Sequence, residues 1–357
     1  MSQELSTNSK LAVQRKKLSI ILPILFLAVA VIGLYIVKWN PYYAKAFKAA
    51  STHSIGNSIV SGKVQAAPAP SWTAAWGYTT AYFTAVWKAV VLGLLLGSLI
   101  QVAIPKKWIK KALGGNNLSN TAVAAGASLP GMMCSCCASP VAVGLRKSSA
   151  SMSSTLAFLL GNPTLNPATI IFMGFVLGWK FSIFRIVMGL VLVFGISTLA
   201  SKYGKEDIIA ESALKRLEET DEEGNLFVRW LKALLQLSID TIPAYLIVVT
   251  LLGAARAWLF PVLNGNSANS IFAIILLAIT GTLFVIPTAA EIPIVQTLMS
   301  FGLGTGPAAA LLMTLPATSL PSLLLVKRVF PRKVLVFVGA GVAVIGVISG
   351  ILGMLIL

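Results

Sequence analysis

All three cysteines of this chain, Cys134, Cys136 and Cys137, fall within four consecutive positions of the stretch GMMCSCCASPVAVGLR, residues 131–146, with Ser135 between them and Pro140 just after. A structural zinc site uses four ligands, typically in two separated pairs. Crowded thiols with no histidine nearby do not offer that, so no metal is assigned. Three clustered cysteines give no disulfide framework either. Two readings stay open. Buried cysteine often serves only as a small hydrophobe, and small residues let membrane helices approach closely. Alternatively, thiols or thiolates present soft donors to a soft, thiophilic small molecule, which reversible sulfur exchange would capture and release.

Two more groups could do chemistry. FLLGNPTLNP, residues 158–167, sets Asn162-Pro163 and Asn166-Pro167 one helical turn apart in an apolar span. Each proline lacks an N–H and disfavours helix at the residue before it. The released carbonyls and both amide side chains then need partners, which a water-lined cavity can supply; a kinked helix without a cavity is the plainer alternative. MTLPATSLP, residues 313–321, is the counterpart in the second half, with Thr314, Thr318 and Ser319 as polar groups. Of the 11 acidic residues, Glu4 and the eight between 202 and 225 leave only Asp240 and Glu291. Acids within a membrane are costly and usually functional, and burial favours the neutral carboxyl. Glu291, inside IPTAAEIP, is therefore the first candidate for proton coupling and Asp240 the second. Pairing of Glu291 with Arg185 or Lys88, and an N-cap role for Asp240 beside TIP, are the structural alternatives.

The elements that position these groups must lie in lipid. The chain is 57% hydrophobic and 11% charged, far below the roughly 25% charged residues of soluble domains. A first apolar run at 18–37, preceded by Arg15, Lys16 and Lys17, reads as an uncleaved anchor, because it exceeds a signal-peptide core. Six further runs, near 80–104, 155–178, 181–200, 233–252, 306–326 and 334–357, are long enough to cross a bilayer. Two others, 118–145 and 271–303, are broken in the middle by LPGMMCSCCASP and IPTAAEIP, and read as hairpins that enter the membrane and return. With the N-terminus cytoplasmic, 20 of the 28 basic residues fall in cytoplasmic segments, as the positive-inside rule expects. The net charge of +17 is thereby explained without nucleic acid.

The expected organisation is a cytoplasmic tail 1–17, a helix 18–37, an extracytoplasmic loop 38–76, a first repeat 77–200, an acidic cytoplasmic linker 201–228 and a second repeat 229–357. Both repeats run crossing, hairpin, crossing, crossing, from opposite sides. An offset of 153 places Pro140 on Pro293, Ala157 on Ala310, Leu159 on Leu312 and Pro163 on Pro316. The fold class is all-α: a polytopic membrane protein of two inverted repeats, each with a membrane hairpin, plus an extra N-terminal transmembrane helix. Such repeats are a transporter signature, with the site near the midplane. His53, the one histidine, reads as a loop residue, and EETDEEG in the linker as a solvated charge run.

At CSCCASPVAVGLRKSSASMSSTLAFLLGNPTLNP the chain resembles the predicted-permease family that includes the ArsP organoarsenical efflux permeases, or YraQ-like permeases. The match rests on Cys134, Ser135, Cys136, Pro140, Leu145, Phe158, Leu159, Pro163, Asn166 and Pro167. IPTAAEIPIVQTLMSFGLGTGPAAALLMTLPATSLPSL is similar to the family's C-terminal repeat. Cys137 replaces the family's glycine and Ser149 stands where glycine is common, which alters the turn and adds a sulfur. The resemblance implies an inner-membrane permease, with efflux of trivalent organoarsenicals as its best-known activity.

The residues and the resemblance together predict a secondary transporter, not an enzyme. The substrate would meet Cys134, Ser135, Cys136, Cys137, Pro140, Asn162, Pro163, Asn166, Pro167, Thr314 and Thr318, and protons would exchange by antiport through Glu291 and Asp240. No cofactor is implied, and no nucleotide-binding G-x-x-x-x-G-K-[ST] motif occurs. The implied partners are the bilayer, protons and a thiophilic small molecule. Another soft metal ion or a reduced sulfur compound is the alternative cargo. An intramembrane thiol redox enzyme using Cys136 and Cys137 is the reading from a different class.

Overall fold

The computed structural model describes residues 20–62, 64, 66–203, 225–261 and 268–357. The tail 1–17 and the run EETDEEG lie outside the described residues. The described residues form helices and no strand. Seven helical stretches are long and apolar enough to cross a membrane: Ile20–Thr52, Trp72–Ala103, Met152–Val176, Trp179–Tyr203, Leu226–Leu259, Thr305–Val326 and Arg332–Ile356. They answer to the seven crossings expected from the apolar runs.

The first of them, α1 (Ile20–Thr52), is longer than the apolar run that marks it. Pro41 would ordinarily end it, since its ring clashes with the carbonyl four residues back. A π-turn at Tyr35–Trp39 lies directly before it. The wider turn accommodates the proline, and helix continues to Thr52, where His53 closes it in the left-handed region at φ 49°. Then come α2 (Trp72–Ala103), the short basic α3 (Lys106–Leu113), α4 (Leu118–Ser128) and α5 (Ser135–Lys147). Next are α6 (Met152–Thr164), α7 (Pro167–Val176) and α8 (Trp179–Tyr203). The second half holds α9 (Leu226–Leu259), α10 (Ile271–Leu283), α11 (Glu291–Ser300), α12 (Thr305–Ala317), α13 (Leu320–Val326) and α14 (Arg332–Ile356).

The two halves share an order of elements. A long crossing (α2, α9) leads to an interrupted pair (α4 and α5, α10 and α11), then to a crossing in two pieces (α6 and α7, α12 and α13), then to a last crossing (α8, α14). Asn166 caps α7 and Ser319 caps α13, and these caps too are 153 positions apart. Packing across the halves is reciprocal: α13 lies on α5, and α7 lies on α11. The broken crossings form the centre, with 83% of each buried against at most half of any other.

Close approach at the centre depends on glycine. Gly93 and Gly97 of α2 face α5, and a Cβ on them would come within 2.4 Å of the Cys137 carbonyl oxygen and 2.3 Å of that of Pro140. This small-x-x-x-small face lets two backbones touch, and it brings the cysteine segment against α2. Ser149 has φ 72°, a backbone region that glycine enters without strain.

Because the obstruction at Gly97 is backbone, no rotamer change relieves it. Gly97→Leu is expected to cost about 1–3 kcal/mol, the usual range for overpacking, and to lower the unfolding midpoint of the detergent-solubilised protein. Gly77→Ala, on the same helix with open space at its Cβ, should leave the midpoint nearly unchanged.

Candidate functional site

Site geometry begins with the break between α6 and α7. Pro163 falls in the last turn of α6, and Asn166 turns the chain by accepting hydrogen bonds from the N–H groups of Ala168 (3.1 Å) and Thr169 (3.3 Å). Released carbonyls are not left to water. Arg185 of α8 donates from Nε to the Thr164 oxygen at 3.0 Å and from Nη2 to the Pro163 oxygen at 2.8 Å. Its Nη1 donates to Glu291 Oε1 at 2.8 Å, and both side chains are buried. One rigid fork serves two carbonyls and a carboxylate at once. Glu291 Oε2 has no partner among the described residues.

The cysteines start α5. Cys134 is its N-cap residue, in extended conformation, and Cys137 lies one turn on, with the two Sγ atoms 3.1 Å apart. That is far beyond the roughly 2.05 Å of a disulfide, and all three thiols are free. Tyr82 donates to Cys136 Sγ at 3.0 Å, and Ser319 lies 3.8 Å from it. Ser135 Oγ meets Ser319 Oγ at 3.3 Å, which joins the start of α5 to the start of α13. Tyr245 of α9 donates to the Cys136 carbonyl at 3.3 Å.

Cys134, Pro163, Thr169, Thr288, Glu291 and Pro316 share the wall of one small chamber with the segment 286–289. Its volume is about 10 Å³, roughly the room of a single water molecule. Sulfur and acid are thus brought together, with the chamber collapsed around them. The other expected site residues stand around it. Asn162 donates to the Phe158 carbonyl at 3.1 Å and accepts from the Met133 N–H at 3.4 Å, so it ties the α4–α5 turn to α6. Gly131 comes so near that a Cβ would sit 2.5 Å from Asn162 Oδ1. Pro140 and Pro167 lie within α5 and at the start of α7. Thr314 bonds back to the Ala310 carbonyl at 2.8 Å and abuts Gly281 and Gly346, away from the chamber lining. Thr318 faces Ser322. Asp240 sits inside α9 rather than at a helix start, and pairs with Arg328. That removes its N-cap role, because the helix already begins at Leu226.

Tertiary packing supplies neighbours that no local sequence pattern marks. Lys38 of α1 is buried and donates to Thr288 Oγ1 at 3.1 Å. Its sequence neighbour Trp39 donates to the Pro130 carbonyl at 2.8 Å in the other interrupted pair. Adjacent residues at the π-turn therefore hold both turns. The signal in the sequence is Asn40-Pro41 directly after them, just beyond the apolar run that ends at Val37.

The family model described as a predicted permease matches residues 78–356 of this chain. UPF0718 protein YraQ of Escherichia coli (strain K12) is 53% identical over 333 residues, covering 93% of this chain and 95% of that protein. UPF0718 protein MJ0584 of Methanocaldococcus jannaschii is 26% identical over 322 residues, covering 70% of this chain and 87% of that protein. No solved structure matches the chain.

Removing one member of a buried ion pair leaves an uncompensated charge and costs about 3–5 kcal/mol. Arg185→Met also strips two carbonyls of their donor, and is expected to lower the thermal midpoint more than Glu291→Gln. The double variant should lose less than the sum of the two, as coupled neighbours do; additive losses in a thermal-unfolding cycle would show that the pair is not coupled.

Proposed function

We propose, from the premise that this chain belongs to the predicted-permease family, that it is an inner-membrane secondary transporter which exports a thiophilic small molecule in exchange for protons. Trivalent organoarsenicals are the cargo class that suits its sulfur pair. The observation that carries the reading is the shared chamber: a soft donor, Cys134, and an acid whose Oε2 has no partner among the described residues, Glu291, line one small space between the halves.

The chemistry balances without a cofactor. Two thiols, Cys134 and Cys137, displace two hydroxides from R–As(OH)₂, forming two As–S bonds and releasing two waters, and hydrolysis reverses the step. Nothing is oxidised or reduced. Their 3.1 Å separation lets both sulfurs reach one soft atom. Glu291 exchanges a proton at Oε2, and its charge state changes its hold on Arg185, whose other two donors grip the broken end of α6. Proton binding would thereby loosen the closed arrangement. We further propose that the halves are inverted, with the N-terminus cytoplasmic, and that their reciprocal contacts exchange during alternating access. Asp240, paired with the half-exposed Arg328, is assigned a supporting role at a helix contact.

Cells lacking their own arsenic exporters test this. Cys134→Ser and Cys137→Ser are expected to lose methylarsenite tolerance by about tenfold, equivalent to 1.4 kcal/mol of binding, with Cys136→Ser milder. Full tolerance in both variants at normal protein levels would sink the reading. In everted vesicles Glu291→Gln should uncouple methylarsenite movement from an imposed pH gradient; unchanged dependence would remove Glu291 from coupling.

A further inference from the structure

Lys38 lies outside the stretch that matches the family model, yet its side chain reaches the centre of the molecule. Only 4% of it is exposed. Nζ donates to Tyr42 Oη at 3.2 Å and to Thr288 Oγ1 at 3.1 Å, and sits 5.4 Å from the centroid of the Tyr42 ring. Every one of these partners is neutral. The charged group within electrostatic reach on its own helix is Lys45, which adds to the positive charge. Across the site, Cys134 and Cys137 are within its electrostatic reach. Burying an ammonium without an opposite charge is costly, and hydroxyls with a ring face offset only part of that cost.

Glu291 is paired with Arg185, whereas Lys38 has no carboxylate partner among the described residues and lies one hydrogen bond behind the wall residue Thr288. Cys134, Thr169 and Glu291, all on that wall, belong to the first turns of α5, α7 and α11, helices of 13, 10 and 10 residues. Helix N-termini carry partial positive charge and favour anions. The buried ammonium and the uncapped start of α5 are independent features of one sign that meet at one place, while the first amides of α7 already donate to Asn166 and Glu291 itself heads α11.

We propose that this chamber is an anion subsite. Lys38 and Thr288 receive an acidic group of the substrate, a carboxylate or sulfonate, while the substrate's soft atom goes to Cys134 and Cys137. Lys38 is then a specificity-determining residue, and an anionic thiophile is favoured over a neutral one. The proposal rests on the reading of the protein as a permease for thiophilic molecules and narrows it. A lysine suits this task because its compact ammonium meets an oxyanion as a point charge.

Two probes that share an arsenic centre and differ by one carboxylate test it: phenylarsenite and 4-carboxyphenylarsenite, followed as uptake into everted vesicles holding the full chain. Wild-type protein is expected to favour the carboxylated probe by about tenfold at subsaturating concentration. Lys38→Met should erase that preference, with a smaller loss for phenylarsenite, and Lys38→Arg should keep part of it. If Lys38→Met loses both activities, Thr288→Val decides: a reduced preference supports the subsite and an unchanged one overturns it. Transport of phenylarsenite without any advantage for the carboxylate in wild-type protein overturns this proposal alone. Transport of neither probe overturns the thiophile permease and this inference with it.

Discussion

A helix that stops inside a bilayer must find new partners for the backbone groups it releases, and here the most constrained of these partnerships is made by one guanidinium. Arg185 binds two carbonyls at the end of α6 and the carboxylate at the start of α11. One side chain therefore sets the position of a broken crossing in the first half and of an interrupted pair in the second. A buried ion pair contributes little net stability compared with well-packed apolar groups. What it contributes here is registration between halves.

The thiols belong to the same arrangement through backbone contact. Glycines at 93 and 97 admit α5 against α2, Tyr245 holds the Cys136 carbonyl, and Ser319 meets Ser135 from the cap of α13. The cysteine segment is thus gripped from both halves. The chamber between them, of about 10 Å³, has the room of roughly one water molecule. α1 adds a strap to it: Trp39 and Lys38 each hold one turn, and the backbone carbonyl of His53 accepts from Gln296 of α11 at 2.9 Å.

Much of this was legible in the residue string because the rules involved are local or compositional. Lipid tolerates long apolar helices, so the seven crossings followed from length and hydropathy. Proline's missing donor acts within a turn of itself, so the breaks near Asn166 and Ser319 followed from Asn-Pro and Leu-Pro steps. With so few acids, Glu291 stood out by elimination. Local rules also misled: the end of the apolar run after Val37 looked like the end of a helix, whereas a π-turn carries α1 past Pro41 to Thr52.

By itself, then, the sequence determined an all-helical membrane chain, its interruptions, and the scarce thiols and acids placed at them. Which groups meet was decided only by the tertiary structure. Arg185, rather than Lys88, pairs with Glu291 across 106 positions, Lys38 meets Thr288 across 250, and Cys134 turns to Cys137 while Cys136 turns to Tyr82. Thr314, polar and well placed in its motif, packs against glycines instead. The physical reason is range. Backbone preferences act over one helical turn, but the partner of a charge or thiol in a low-dielectric interior is whichever group the packing of distant helices brings within hydrogen-bonding distance.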